Sequence, residues 1–252
     1  MGATQCENHI IPAQKSHSLV SKMYYLYHIR KTGGRSIIHS FLALATNNPG
    51  TFYKQLAKQP PEHCLKKDGK IFIGWNTSTL KHRNFFFAFS HDSAHTLTLP
   101  YQIFTITCFR DPLARLKSYY NHLMEIKQDI KKNPNHVHAN LPDLVWAHNN
   151  QMKFLKDVPR QHLLNQLFMF SKQMQPKEAA DNISKVDFVL QTEKMTAGIK
   201  RLSRLTKIEL QPQHTGITKT KCKFSDDFLA KAKHILEPEF DLMRRLTDRG
   251  LL

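Results

Sequence analysis

Several patterns that define common protein classes are missing from this chain of 252 residues. It contains neither the GxxxxGK[ST] loop of Walker-type NTPases nor the GxGxxG dinucleotide fingerprint. It also has no HExxH motif and no CxxC pair, and its four cysteines, Cys6, Cys64, Cys108 and Cys222, lie far apart. This spacing favours reduced thiols over a disulfide framework and indicates no zinc site.

Long apolar runs are missing as well. No stretch approaches the roughly 20 apolar residues of a membrane span. Residues 1–18 lack the apolar centre of a signal peptide,. Gly2 invites comparison with myristoylation sites, but Cys6 stands where Ser or Thr is required,. The sequence therefore predicts a cytoplasmic protein without a membrane span.

Acidic residues are few relative to basic ones: 37 Lys and Arg face 20 Asp and Glu, a net charge of +17. Such a field attracts polyanions, whether nucleic acid, an anionic membrane, a sulfated or phosphorylated substrate, or a nucleotide. The hydrophobic content of 40% predicts a folded globule,. We expect a flexible lead-in over residues 1–21 and a single domain over 22–252.

Apolar runs typical of buried strands alternate with amphipathic segments. The predicted strands cover residues 23–29, 71–74, 84–89, 101–109 and 186–190,. Helices are expected to end near Ala45, to include a short one within 51–70, and to cover 112–131, 141–156, 160–174, 177–185, 193–206 and 225–249,. This alternation predicts an α/β fold in three layers, in which a central, mostly parallel sheet has helices on both faces.

A strand, a short turn and a helix follow one another from Met23 to Ile38. The turn reads Lys31-Thr32-Gly33-Gly34-Arg35-Ser36. Paired glycines let backbone N–H groups approach a ligand, and the free amides at a helix start attract anions. Lysine, arginine and hydroxyl groups add donors. The stretch predicts a phosphate-type binding loop, with a plain strand-to-helix connection as the alternative.

A second anion-binding pattern follows the strand predicted at 101–109, where Arg110-Asp111-Pro112 begins a helix. Asp111 is a favourable N-cap and Pro112 suits the first helical position. Ser118 lies on that helix and shares a face with Arg115. Two separate anion sites predict a nucleotide that is phosphorylated at two places.

The type of reaction follows from what these strand ends offer. Phosphoryl transfer usually needs carboxylates that hold Mg²⁺, and the obvious acids after a strand are Asp92 and the helix cap Asp111,. Transfer of a sulfuryl group, which bears one negative charge, needs a metal less, because lysine and backbone amides can suffice.

At these residues the sequence resembles the sulfotransferases that use 3′-phosphoadenosine 5′-phosphosulfate (PAPS), in particular carbohydrate and heparan-sulfate 2-O-sulfotransferases. HIRKTGGRSI is similar to their 5′-phosphosulfate loop, commonly HIPKTGGTSL, and CFRDPLARLKSYY is similar to their 3′-phosphate motif, FRDPxxRxxSxY. The resemblance extends from about Tyr24 to Leu246 and implies the P-loop-like sulfotransferase fold. Arg30 and Arg35 depart from the pattern, replacing Pro and Thr.

The resemblance also implies roles for matched positions and a donor that needs no metal. Lys31 contacts the transferred sulfate and the bridging oxygen, and the 5′ end is wrapped by Thr32, Gly33, Gly34, Arg35 and Ser36. Arg110 and Ser118 hold the 3′-phosphate of PAPS and of its product, adenosine 3′,5′-bisphosphate (PAP).

His91 in FSHDS falls where the 2-O-sulfotransferases have their base, which implies that it takes the proton of the acceptor hydroxyl,. Asp92 and His95 are the alternative bases, and Asp92 has the further option of orienting His91. Lys219 lies in a basic loop, residues 214–223, that is interpreted either as reaching the nucleotide or as a solvated charge run.

The partners expected are therefore the nucleotide donor and a hydroxyl-bearing acceptor. The resemblance suggests a carbohydrate, and the positive field suits an anionic glycan. The main alternatives are a nucleic-acid-binding protein, for which no recognition motif stands out, and a nucleotide-dependent kinase, for which the Walker lysine is missing. The acceptor's identity and the oligomeric state stay open.

Overall fold

The structure is a computed structural model that describes residues 23–58, 63–80, 84–100, 102–136, 138–213, 215 and 219–252. The predicted lead-in, the predicted strand start at Tyr101, and part of the basic loop 214–223 lie outside the described residues.

A six-stranded sheet in the order β2-β3-β4-β1-β5-β6 forms the centre of the described chain. Its neighbours pair in parallel, except β2 with β3. The strands are β1 (Met23–Tyr27), β2 (Cys64–Lys67), β3 (Lys70–Gly74), β4 (Phe87–Ser90), β5 (Ile103–Phe109) and β6 (Phe188–Gln191).

Helices cover both faces of this sheet. The α-helices of the described part of the chain are α1 (Gly34–Leu42), α2 (Pro49–Ala57), α3 (Pro112–Lys132), α4 (Gln151–Asp157), α5 (Arg160–Leu163), α6 (Asn165–Phe170), α7 (Pro176–Ile183), α8 (Met195–Thr206) and α9 (Asp226–Asp248). Short 3₁₀ turns are found at Thr77–Thr79, Pro142–Trp146 and Thr192–Lys194.

The central strand β1 shows why this becomes three layers. Successive side chains of a strand point to opposite faces of the sheet. Tyr24 and Leu26 pack in the apolar cluster that includes α1, α2 and α8, whereas Tyr25 and Tyr27 pack in the cluster on the other side, with α3, α7 and α9. Both faces are covered, which explains the continuous apolar run and confirms the predicted three-layer α/β fold.

Two segments that were each predicted as a single helix are divided in the structure, so both predictions are wrong. Residues 141–156 form a 3₁₀ turn and then α4, because the side chain of Asn150 accepts a hydrogen bond from the Lys153 N–H and starts a new helix. Residues 160–174 divide into α5 and α6 at Leu164, where φ −101° and ψ 46° leave the helical region.

The strand β2 was not predicted. It pairs antiparallel with β3 through a turn at Asp68 and Gly69, both at positive φ. Half of its residues, Lys66 and Lys67, are exposed lysines, so an apolar pattern is missing there. It lies at the edge of the sheet, where charged residues are usual.

Candidate active site

The carboxyl ends of the neighbouring strands β4, β1 and β5 meet at one edge of the sheet, as parallel pairing requires,. The segment after β1 runs beside the end of β4, since the His28 N–H donates to the carbonyl of Ser90 at 3.0 Å. It also meets the segment after β5, because the Arg110 guanidinium donates to the carbonyl of Lys31 at 3.2 Å. The structure thus brings both sequence-predicted anion motifs together.

The loop after β1 presents uncapped amides at the start of α1. Gly33, the N-cap residue, has φ +80° and offers no side-chain acceptor to the first helical turn. The longer helix α3, by contrast, is capped by Asp111, whose carboxylate accepts from the Ala114 N–H, with Pro112 in its first turn as predicted. An anion at the start of α1 would fill the role that a capping side chain has elsewhere.

Both side-chain packing and backbone conformation require glycine at residues 33 and 34 of this loop. A Cβ atom on Gly34 would lie 2.1 Å from Cδ2 of His28, and one on Gly33 would lie 2.6 Å from the Met195 side chain. Positive φ at Gly33 and at Lys31 (+67°) bends the loop toward the helix start,. The loop shape therefore depends on His28, which directly follows β1, and on Met195 of α8.

The hydroxyl groups of this loop bond to the protein itself. Thr32 is buried, its Oγ1 donates to the carbonyl of Ile29 at 3.0 Å, and its own carbonyl accepts from Thr192 Oγ1 at 2.7 Å. Ser36 Oγ lies 3.5 Å from both the backbone nitrogen and the backbone oxygen of Thr215. These contacts hold the loop against the 3₁₀ turn that follows β6 and against Thr215, which lies between α8 and α9.

Two cations of the loop differ in environment. The pKa of Lys31 is lowered to about 8, chiefly by burial; Glu125 acts against this shift, and the charges of Arg110 and Arg35 add to it. Arg35 is exposed, and its guanidinium carbon lies 5.4 Å from the ring centroid of Tyr53, a cation–π distance,.

The backbone of Arg110 is held by a residue that sequence reasoning missed. Gln166 Oε1 accepts from the Arg110 N–H at 2.8 Å, and Gln166 Nε2 donates to the Arg110 carbonyl at 3.1 Å. Gln166 is itself fixed by Glu239, which accepts from its backbone N–H at 2.7 Å and from Nε2 at 3.1 Å. Neither residue belongs to a local pattern that would have revealed this contact.

Arg115 completes this buried network. Its Nε lies 3.5 Å from Glu239 Oε2, and its terminal nitrogens donate to the carbonyls of His162 and Leu163. The side chains of Arg115 and Glu239 are 1% and 0% exposed, so both charges are internal. The arginine inside the second motif is therefore part of the core.

One face of α3 continues from Arg110 with Ser118, His122 and Glu125. Ser118 is half-buried. Burial lowers the pKa of His122 to about 3, and the charge of Lys31 adds to this. Glu125 accepts from the backbone N–H of Lys219 at 3.0 Å, so the basic loop is joined to α3 through its backbone.

His91 directly follows β4, as predicted. Its Nδ1 lies 2.6 Å from the carbonyl of His28, and the two rings are 4.4 Å apart. Because a carbonyl only accepts, Nδ1 carries the proton and Nε2 has a free lone pair. Burial, together with the charge of Arg30, lowers the pKa of His91 to about 4, so the ring is neutral at pH 7.

The two alternative bases lie in other surroundings. Asp92 Oδ2 accepts from Thr77 Oγ1 at 2.7 Å, and its backbone N–H is held by Ser90 Oγ. The ring of His95 packs edge-on against Phe168 at 5.2 Å, and the charges acting on it are Lys172 and Glu178. The orientation of His91 comes from the His28 carbonyl and not from Asp92.

Within the residues that the structure describes, no group of three or more His, Cys, Asp or Glu side chains is arranged to hold a metal ion. No helix in that part of the chain combines the length and the apolar character that crossing a bilayer requires.

Comparison with known proteins agrees with this geometry. A comparison with curated proteins finds no significant match. A model of the sulfotransferase family matches residues 18–248, which include both anion motifs. Members of this family generally use PAPS as donor and a hydroxyl group as acceptor. The chain therefore belongs to the sulfotransferase family.

Proposed function

We propose that this sulfotransferase moves a sulfuryl group from PAPS to a hydroxyl group of a carbohydrate, with His91 as the base. The observation that carries the proposal is the hydrogen bond from Arg110 to the carbonyl of Lys31. It joins two motifs that are 79 residues apart into one cationic site, as a ligand with anions at both ends requires.

The residues present fit such a donor. The uncapped amides at the start of α1 suit the 5′ end, together with Lys31 and the backbone of Thr32, Gly33, Gly34 and Arg35,. Thr32 and Ser36 have their hydroxyls engaged within the protein, so we assign them chiefly to loop shape. Arg110 and Ser118 suit the 3′-phosphate, because one supplies a guanidinium fork and the other a half-buried hydroxyl,.

The chemistry needs a base, an electrophile and a stabilised leaving group. The Nε2 lone pair of His91 accepts the proton of the acceptor hydroxyl, whose oxygen forms a bond to sulfur while the bond from sulfur to the bridging phosphate oxygen breaks. The Lys31 ammonium stabilises the charge that develops on the departing PAP. Burial of both groups strengthens these interactions,.

Binding of PAP without Mg²⁺, measured by calorimetry in EDTA, tests the nucleotide part. We expect a nanomolar-to-micromolar Kd, weakened at least tenfold by Lys31→Ala and by Arg110→Ala. Lys200→Ala and Arg204→Ala remove exposed charges from α8 and serve as matched controls with unchanged affinity. Salt-dependent binding to random oligonucleotides without any effect of PAP would instead favour the nucleic-acid alternative, and a strict requirement for Mg²⁺-ATP would favour the kinase.

Transfer from radiolabelled PAPS to a panel of glycans and small hydroxyl compounds tests the reaction. We expect a carbohydrate product, and we expect His91→Asn to lower kcat by a factor on the order of 10²–10⁴ while the Kd for PAP stays within twofold. His95→Asn removes a neighbouring imidazole in other surroundings and should retain kcat. A larger loss in His95→Asn than in His91→Asn would contradict the assignment of the base.

A further inference from the structure

Arg30 stands where the related loop commonly has proline, and it is held in a definite place. Its backbone N–H donates to Asn165 Oδ1 at 3.2 Å. Its guanidinium donates a hydrogen bond from Nη1 to Asp143 Oδ2. This bond uses one of the five N–H donors of the guanidinium. The same carboxylate oxygen accepts from Tyr119 Oη at 2.7 Å.

The two side chains of this ion pair differ in solvent exposure. The Asp143 side chain is 7% exposed, whereas that of Arg30 is 33% exposed. The carboxylate is thus an internal anchor that fixes the guanidinium by one edge, and the rest of the guanidinium remains accessible to a ligand. Arginine is suited to this task, because its fork can engage two carboxylates from different sides.

Arg30 lies close to His91, because its charge lowers the pKa of that ring. The charges that act on His91 are Arg30, Asp92 and Asp143. Those that act on Lys31 are Glu125, Arg110 and Arg35. His91 also contacts the segment that contains Arg30. Its Nδ1 donates to the carbonyl of His28, which lies two residues before Arg30.

We propose that Arg30 recognises an anionic group of the acceptor, so that the preferred substrate carries a carboxylate or sulfate on the same sugar as, or next to, the hydroxyl that His91 deprotonates. This inference rests on the proposed sulfuryl transfer and assigns Arg30 as a specificity-determining residue. Asp143 and Tyr119 act through Arg30 as positioning residues.

The experiment compares three sugars that differ only in the group at C6: methyl glucuronide with a carboxylate, methyl glucoside 6-sulfate with a sulfate ester, and neutral methyl glucoside with a hydroxyl group. Each is titrated by NMR into protein saturated with PAP, so that the donor anion sites are filled. We expect at least one anionic sugar to bind about tenfold more tightly than the neutral one. The carboxylate and sulfate arms show which anion is recognised.

Variants of Arg30 test whether this residue causes the preference for anionic sugars over the neutral one. Arg30→Gln should reduce the preference for the anionic sugar to about twofold or less, Arg30→Lys should retain part of it, and the control Arg204→Gln should leave it intact. The Kd for PAP should stay within twofold in all three, which separates a failure here from a failure of the proposed nucleotide site.

Three results would overturn the proposal. The first is equal affinity of wild type for all three sugars, or no detectable binding of any of them to the PAP-loaded protein. The second is a preference that Arg30→Gln retains although the variant is folded by circular dichroism. The third is a loss of PAP affinity in Arg30→Gln, which would assign this charge to the donor.

Discussion

The guanidinium of Arg110 donates a hydrogen bond to the backbone carbonyl of Lys31. The contact fixes the distance between two cations that the chain supplies from different strands, and it does so through the backbone of the lysine. The contact involves the backbone of Lys31, so the position of this residue depends on Arg110.

Arg110→Lys keeps the charge but removes the planar fork, so it should weaken PAP binding about tenfold. A lysine ammonium is a single point donor and cannot engage both a phosphate and the Lys31 carbonyl in the same geometry. Calorimetry with PAP measures the effect, and Arg204→Lys on α8 is the control. An affinity within twofold of wild type would show that charge alone matters at residue 110.

The pH profile should have two limbs. With a Lys31 pKa of about 8, kcat/KM for PAPS should fall above about pH 8, as the ammonium that favours the anion loses its proton,. With a His91 pKa of about 4, kcat/KM for the acceptor should fall below about pH 4, as the base becomes protonated. Steady-state kinetics across this range measures both limbs.

The bound donor should shift the basic limb. Negative charge beside Lys31 favours its protonated form and raises its pKa, so the limb in kcat should lie at higher pH than the limb in kcat/KM. Lys31→Arg stays protonated throughout, and whatever activity it retains should show no basic limb. A basic limb that persists near pH 8 in this variant would assign it to another group.

Glu239→Ala should destabilise the protein by about 3–5 kcal/mol, because it leaves the buried Arg115 guanidinium without its carboxylate,. It should also weaken PAP binding, since Gln166 loses the partner that orients it against Arg110. Urea unfolding and calorimetry measure the two effects.

Glu237→Ala, two residues away on the same helix, is the matched control. Glu237 is exposed and pairs with the exposed Arg244, so its loss should change the free energy of unfolding by no more than about 0.5 kcal/mol,. Similar destabilisation by both changes would mean that the buried network contributes nothing special.

Gly34→Ala should abolish PAP binding and lower stability, because the added Cβ would overlap the His28 ring at 2.1 Å. The ring centroids of His28 and His91 lie only 4.4 Å apart, so displacement of one ring should also disturb the base. Gly50→Ala is the control: its nearest contact would be 3.8 Å away, and it should leave PAP binding unchanged. Normal binding by Gly34→Ala would show that the ring can move without consequence.

Sequence alone determined the features that depend on neighbouring residues. The apolar runs predicted β1, β4 and β5, and the Asp111-Pro112 pair predicted the start of α3, because strand burial and helix capping are local effects,. The glycine-containing turn and its cations were readable for the same reason. Edge strand β2 was missed because its exposed lysines conceal any apolar pattern.

Only the tertiary structure decided how distant segments complete the site. Gln166 lies 56 residues from Arg110 and 73 from Glu239, and no periodicity links them. The tautomer of His91 is set by a carbonyl 63 residues earlier in the chain, and the anchor of Arg30 comes from a 3₁₀ turn that was expected to be a helix. Such contacts arise from the packing of the sheet and its helices, which a local pattern does not encode.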